Sequence, residues 1–299
     1  MRRASEISAP QEPAERTPAY DLYGPDSPVG PVVISVPHAG RDYTPELLSA
    51  ARVPQATLRR LEDRFADYLV HRLIERSQTV VVAKVPRAAI DLNRSEREID
   101  PAMIRGLPRD QSLTSSAKLR GGLGLVPRRL QGAGDLWREA LEWSDLSARI
   151  EAFHRPYHAV LERLLSRALE EHGHAILLDI HSMPPLPPAA GLTPRIVLGD
   201  RFGRSASSRL TFLATDLCVA RGVPAAQNHP YPGNYLLERH GMPERRTHAL
   251  QLEVDRSLYL DSALDRPGPG LAAMQGLIAD LVDALGIEMP RTEFAQAAE

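Results

Sequence analysis

One cysteine in 299 residues leaves no intrachain disulfide to form and no cysteine-based zinc site. That residue, Cys218, sits in a helical run over 212–219 and reads as a buried structural thiol rather than a nucleophile. Lysine is nearly as scarce: of 36 basic residues only Lys84 and Lys118 are lysine. The surplus of arginine reads first as composition bias, although its planar guanidinium suits bidentate pairing with carboxylates. Large charge imbalance is also missing. A formal net charge of −2 favours neither nucleic acid nor an anionic membrane as partner. No apolar run approaches the ~20 residues that cross a bilayer, and Met1-Arg2-Arg3-Ala4-Ser5 lacks the apolar stretch of a signal peptide. A cytoplasmic protein is the expectation. The run Gly121-Gly122-Leu123-Gly124-Leu125 is not followed by Gly-Lys-Ser/Thr, which argues against a phosphate loop and for a flexible active-site loop.

What is present is apolar content of 43%, enough to bury a large core. Residues 1–28, rich in Pro, Ser, Glu and Ala, read as a mobile N-terminal segment or an edge, and 29–299 as a single α/β domain. Strands are expected at Val32–Val36, 79–85, 175–180, 195–198 and 248–254. Leu58, Leu61, Phe65, Leu69 and Leu73 give 56–74 the period of an amphipathic helix. Further helices are expected over 136–171, interrupted near Pro156, and over 206–221 and 270–285.

Two of these apolar runs deliver a histidine at their carboxyl end, Val36-Pro37-His38-Ala39-Gly40 and Asp179-Ile180-His181-Ser182. A third carries Glu253. In a parallel α/β sheet that end is where ligands and catalytic groups gather. Two histidines with a carboxylate from elsewhere would supply the three N/O ligands of a catalytic zinc, with one open position for water and a second carboxylate beside it. Each residue also has a plainer reading. A strand-end histidine can simply be hydrogen-bonded, Asp63 and Asp67 can be a solvated helix face, and Glu253 can pair with Arg256 at the surface.

The set Ser35-Val36-Pro37-His38-Ala39-Gly40, Asp91-Leu92-Asn93-Arg94, Pro156-Tyr157-His158, Asp179-Ile180-His181-Ser182-Met183 and His248-Ala249-Leu250-Gln251-Leu252-Glu253 resembles the N-formylglutamate amidohydrolase family. Order and approximate spacing agree from about residue 30 to 262, including the tail 256–261. The resemblance implies a three-layer α/β fold, with a mixed, largely parallel sheet flanked by helices, related to zinc carboxypeptidases (phosphorylase/hydrolase-like). It implies zinc-dependent cleavage of N-formyl-L-glutamate, a small-molecule N-acyl amino acid, to formate and glutamate, and histidine degradation as the pathway. Carried onto this chain, it makes His38 and His181 metal ligands and Asp63 the third, with Glu46 as the alternative. Glu253 becomes the general base. Arg94 would hold a substrate carboxylate or stabilise the oxyanion, or else bridge Asp91 or Glu96; Asn93 would hydrogen-bond the substrate. Arg128 would reach a second carboxylate, and Asn234, with His229, would lie on a substrate-facing loop. His158 and His248 would support the core. A zinc acylase or peptidase on another acyl-amino acid or peptide C-terminus, and a non-catalytic binding protein, remain as alternatives, and homo-oligomerisation stays open.

Overall fold

Seven strands form one sheet in the computed structural model, which describes residues 18–188 and 191–288. They are β1 (Tyr20–Tyr23), β2 (Val32–Val36), β3 (Val80–Ala83), β4 (Ala175–Met183), β5 (Ile196–Gly199), β6 (Ala225–Gln227) and β7 (Thr247–Asp255). Their spatial order is β1-β3-β2-β4-β7-β5-β6. The central strands β3, β2, β4 and β7 run parallel, whereas β1 and the β5–β6 pair oppose their neighbours. The carboxyl ends of β2, β4 and β7 therefore open on the same side, and the register sets Glu253 directly opposite His181.

Strands buried on both faces need apolar residues at successive positions, and β2, β4 and β7 are buried along their whole length. Alternation divides them between two cores. Ile34, Val36, Leu178, Ile180 and Leu252 pack under the helices α2 (Ser208–Ala220) and α3 (Leu271–Ile287). Val33, Leu177 and Ala249 pack on the other face beneath α1 (Arg155–His172). Helix, sheet and helix are the three expected layers. Toward the carboxyl ends the second face changes character: after Leu177 come Asp179 and His181, and after Ala249 come Gln251 and Glu253. A polar, buried end grows out of an otherwise apolar layer.

Of the two readings of 1–28, the edge holds for Tyr20–Tyr23, which pairs antiparallel with β3; residues 1–17 lie outside the described residues. Two expectations need correction. The helix expected over 56–74 is broken into Gln55–Leu58, a 3-10 turn at Arg59–Leu61, Ala66–Leu69 and His71–Glu75. Glu62 is extended (ψ 151°) and Phe65 is left-handed (φ 54°), so apolar period alone overstated the helix. The break lets the Asp63 N–H reach the His38 carbonyl at 3.0 Å. The glycine run 121–125 is tied rather than loose: the Asp91 N–H donates to Leu125 O and the Leu125 N–H to Glu98 O, both at 2.7 Å. The interruption near Pro156 is a π turn at Ile150–His154, because proline has no N–H to continue the regular ladder.

Gly40 is where β2's outgoing chain crosses the end of β3, and a Cβ there would fall on the Val85 carbonyl. Gly40→Ala is expected to lower the unfolding free energy by about 2 kcal/mol in urea titration. Gly30→Ala, with open space around it, should change it by less than about 0.5 kcal/mol. Equal effects would contradict this packing.

Candidate metal and substrate site

The two histidines meet at the carboxyl edge of the sheet, with ring centroids 4.8 Å apart. Both are buried, at 2% and 3% exposure. Each has its Nε2 against a buried carboxylate: His38 Nε2 lies 2.8 Å from Asp91 Oδ1, and His181 Nε2 lies 2.8 Å from Asp179 Oδ2. The second contact follows from strand geometry, since residues 179 and 181 share a face. Asp179 is itself oriented by the Ser35 hydroxyl at 2.8 Å. A carboxylate facing Nε2 fixes the proton on that nitrogen and leaves the Nδ1 lone pair exposed.

Both Nδ1 atoms face the same oxygen. Asp63 Oδ2 is 3.0 Å from His181 Nδ1 and 3.4 Å from His38 Nδ1, and His38 Nδ1 is buried without a hydrogen-bond partner. With Nε2–H directed at Asp91, the His38 Nδ1 lone pair faces a carboxylate oxygen, which is repulsive unless a cation lies between them; His181 Nδ1 holds the same oxygen in a hydrogen bond whose proton a metal ion can replace. His38, Asp63 and His181 form a buried cluster whose ligand atoms all lie within 4.8 Å, a donor set that can hold a metal ion. The other Asp63 oxygen accepts from the Ser182 hydroxyl and from Arg256, each at 3.3 Å. Glu46, by contrast, lies on the exposed first turn of the short helix Pro45–Ala50, outside this cluster.

The electrostatics repeat the demand for positive charge. Burial alone would raise the Asp63 carboxyl, but the two imidazoles hold it well below the usual carboxylate range. Asp91 is likewise held low against burial by Arg87, His38 and Arg94. His181 is pushed well above the ordinary imidazole value because Asp179 and Asp63 outweigh its burial. Glu253 behaves differently: burial raises it to about 7, against the pull of His181. Its Oε1 accepts from the Gln251 amide at 2.9 Å.

A cavity of about 180 Å³ opens on this cluster, lined among others by Arg87, Asn93, Arg94, Tyr231, Asn234 and Glu253. That is smaller than the ~300–1,000 Å³ typical of drug-sized sites and suits a small metabolite. Arg94 is 3% exposed; its Nε donates to Leu123 O at 3.0 Å and its Nη1 to Asn93 O at 2.8 Å, with Asp91 Oδ2 3.9 Å away. Asn93 Oδ1 accepts the Leu236 N–H at 2.9 Å, which ties it to the Asn234 loop. Arg128, expected at a second carboxylate, is not among the cavity residues and pairs instead with Asp100 at 3.1 Å. His229 is exposed and also lies outside the lining.

Sequence reasoning passed over Arg87, Lys118, Tyr231 and Arg256 as site residues. Arg87 Nε bonds Asp91 Oδ2 at 2.8 Å while its side chain lines the cavity. Arg256, read as a partner for Glu253, bonds Glu62 O, Ser182 and Asp63. In so arginine-rich a chain Arg87 carried no distinguishing signal, and for Arg256 the only one was its place at the head of the family-like tail 256–261. Behind the Asp91–Arg94 loop stands a histidine stack. His154 Nε2 reaches Arg94 O at 2.8 Å, His158 Nε2 reaches Leu92 O at 3.0 Å, and His158 Nδ1 accepts from His240 Nε2 at 3.0 Å. His248 is also buried, with Nδ1 accepting the Ser207 N–H at 3.3 Å.

Burial holds His240 neutral, with its pKa down to about 3. The unfolded chain therefore binds a proton that the folded chain refuses, so this contribution is intact above pH ~6.5 and stability falls as pH drops from there toward 3. Between pH 6 and 4 the unfolding free energy of wild type should fall more steeply than that of His240→Gln, by about 1 kcal/mol per pH unit. Parallel slopes in urea titrations would contradict a neutral His240.

The N-formylglutamate amidohydrolase family model matches residues 30–260. N-formylglutamate deformylases of Pseudomonas aeruginosa and Pseudomonas putida are 29% and 30% identical over 240 residues, spanning 77% of this chain and 82% of each relative. The crystal structure of N-formylglutamate amidohydrolase from Ralstonia eutropha JMP134 is similar at TM-score 0.81 and 30% identity, over 89% of this chain and 96% of that one. A gene product of Agrobacterium tumefaciens, 18% identical with TM-score 0.57 over 90% and 95% of the two chains, shares the fold.

Proposed function

The chain belongs to the N-formylglutamate amidohydrolase family, and from that premise and the cavity's geometry we propose that it hydrolyses N-formyl-L-glutamate to formate and glutamate with zinc held by His38, Asp63 and His181. It is a hydrolase acting on an amide. The observation that carries the zinc assignment is His38 Nδ1, buried without a partner beside Asp63 Oδ2. Two imidazole nitrogens, neutral once a metal ion replaces the Nδ1 proton, and one carboxylate match a hydrolytic zinc, which keeps a position for water. Once bound there, zinc supplies a Lewis acid that lowers the pKa of water toward ~7.

The chain's own groups do the rest. Glu253 faces the cavity with Oε1 engaged by Gln251, leaving Oε2 to take the proton of the attacking water. As the C–N bond breaks, the same carboxyl returns that proton to the departing amine nitrogen. Arg87, anchored through Nε to Asp91, keeps its outer nitrogens for the developing oxyanion. Arg94 keeps Nη2 for the α-carboxylate beside the scissile amide. Asn93 Nδ2 lies 3.3 Å from His181 Nε2, whose proton is given to Asp179, so the amide N–H groups stay available to substrate. Asn234 lines the same wall. A cytoplasmic enzyme of histidine degradation fits this reading; among the described residues no helix is long and apolar enough to cross a membrane.

Purified chain supplied with zinc is expected to bind about one ion and to release formate from N-formylglutamate far faster than acetate from N-acetylglutamate. Glu253→Gln should keep the ion and lose hydrolysis by about 10²–10⁴-fold. Zinc should be lost from His38→Ala and Asp63→Ala and retained by Glu46→Ala, read by metal analysis after dialysis. Retention in Asp63→Ala with loss in Glu46→Ala overturns the ligand set. Absence of formate release from the zinc-loaded wild type overturns the activity.

A further inference from the structure

A substrate carrying two carboxylates needs two cationic receivers, and Arg128 is spent on Asp100 outside the cavity. The cations that line the cavity are unequally committed. Arg87 is held by Asp91, and Arg256 by Asp63, Ser182 and Glu62. Arg60, from the 3-10 turn, spends Nη2 on Gln131 O, and Arg94 keeps one nitrogen without a bond to the described residues at the floor. Lys118 lines the same cavity from the exposed short helix Ala117–Arg120, and no carboxylate of the described residues pairs with it. The other lysine, Lys84, has Asp21 at 3.5 Å.

Lys118 and Arg94 are placed by one shared residue. The Leu123 N–H donates to Lys118 O at 2.8 Å, while Leu123 O accepts Arg94 Nε at 3.0 Å. The short helix is capped by the Ser116 hydroxyl, which accepts the Leu119 N–H at 3.0 Å. Gly124 lets this segment lie close: a Cβ there would meet Glu98 O at 2.7 Å. The tied glycine run thus fixes a buried guanidinium at the floor and an ammonium at the rim, on one wall.

We propose that Lys118 is the specificity-determining residue that receives the side-chain carboxylate of the N-acyl amino acid, while Arg94 holds its α-carboxylate. The assignment rests on the proposed amidohydrolase activity. The α-carboxylate sits one carbon from the scissile nitrogen and must lie deep, next to Asn93 and His181. The side-chain carboxylate is three carbons from that nitrogen, two further along, and extends toward the mouth. An ammonium on a flexible stem tolerates that distal group as a point charge, where a guanidinium would demand a planar match.

The test compares kcat/KM for N-formylglutamate with that for N-formylglutamine, its neutral isostere, in the zinc-loaded full chain. In Lys118→Met the preference for the acid over the amide should fall at least about tenfold, through KM, as expected for loss of a charge-assisted hydrogen bond. Lys118→Glu should reverse the preference, and Lys118→Arg should restore most of it. The side chain is exposed, and unchanged melting temperatures would show that the fold is kept. An unchanged acid-to-amide ratio in Lys118→Met and Lys118→Glu overturns the assignment while leaving the activity standing. So does an equal loss of preference in Arg60→Met, the other exposed cation on this cavity, whose Nη2 donates to Gln131 O. A wild type that hydrolyses neither substrate overturns the functional reading, and the assignment with it.

Discussion

Two imidazoles held by their outer nitrogens against buried carboxylates govern the geometry of this protein's site. Burying Asp63, Asp91 and Asp179 costs several kcal/mol per charge unless each is paired, and the fold pairs all three around His38 and His181. Because Asp91 and Asp179 accept the Nε2–H groups, both Nδ1 atoms are turned inward onto Asp63. Removing either outer carboxylate frees the ring to turn and the tautomer to change, and that outer contact is the kind whose loss weakens a metal site about 10–100-fold.

The sheet makes this arrangement reproducible. Three parallel strands bring His38, His181 and Glu253 to one edge, and the register alone seats Glu253 beside His181. The fourth contributor, the Asp91–Arg94 loop after β3, is braced from behind by His154 and His158 and from the side by the glycine run. Burial also separates the roles of the carboxylates. Asp63 and Asp91 stay ionised beside positive partners, whereas at Glu253 burial outweighs the pull of His181 and raises the carboxyl to about 7, suiting it to exchange a proton.

Much of this was legible in the chain, for identifiable reasons. Continuous β-branched and apolar runs such as Val32–Val36 mark buried parallel strands, and their ends announce where His38 and His181 emerge. Motif resemblance supplied Asn93, Arg94 and Glu253, all of which line the cavity. Asp63 was harder to place, because apolar period concealed the break at Glu62–Phe65 that carries its backbone to His38. Arginine identity carried almost no information in a chain with so many: Arg128 pairs away from the cavity, while Arg87 reaches it from the turn after β3 and Arg256 from the 3-10 turn that follows β7.

Which nitrogens would face a cation decides how this site works, so anomalous diffraction at the zinc edge from zinc-loaded crystals is the most direct test. One peak is expected, bonded to Nδ1 of His38, Nδ1 of His181 and the Asp63 carboxylate, with both Nε2 atoms still on Asp91 and Asp179. A peak held through Nε2 of either histidine, a peak on Glu46, or no peak after zinc loading would contradict it.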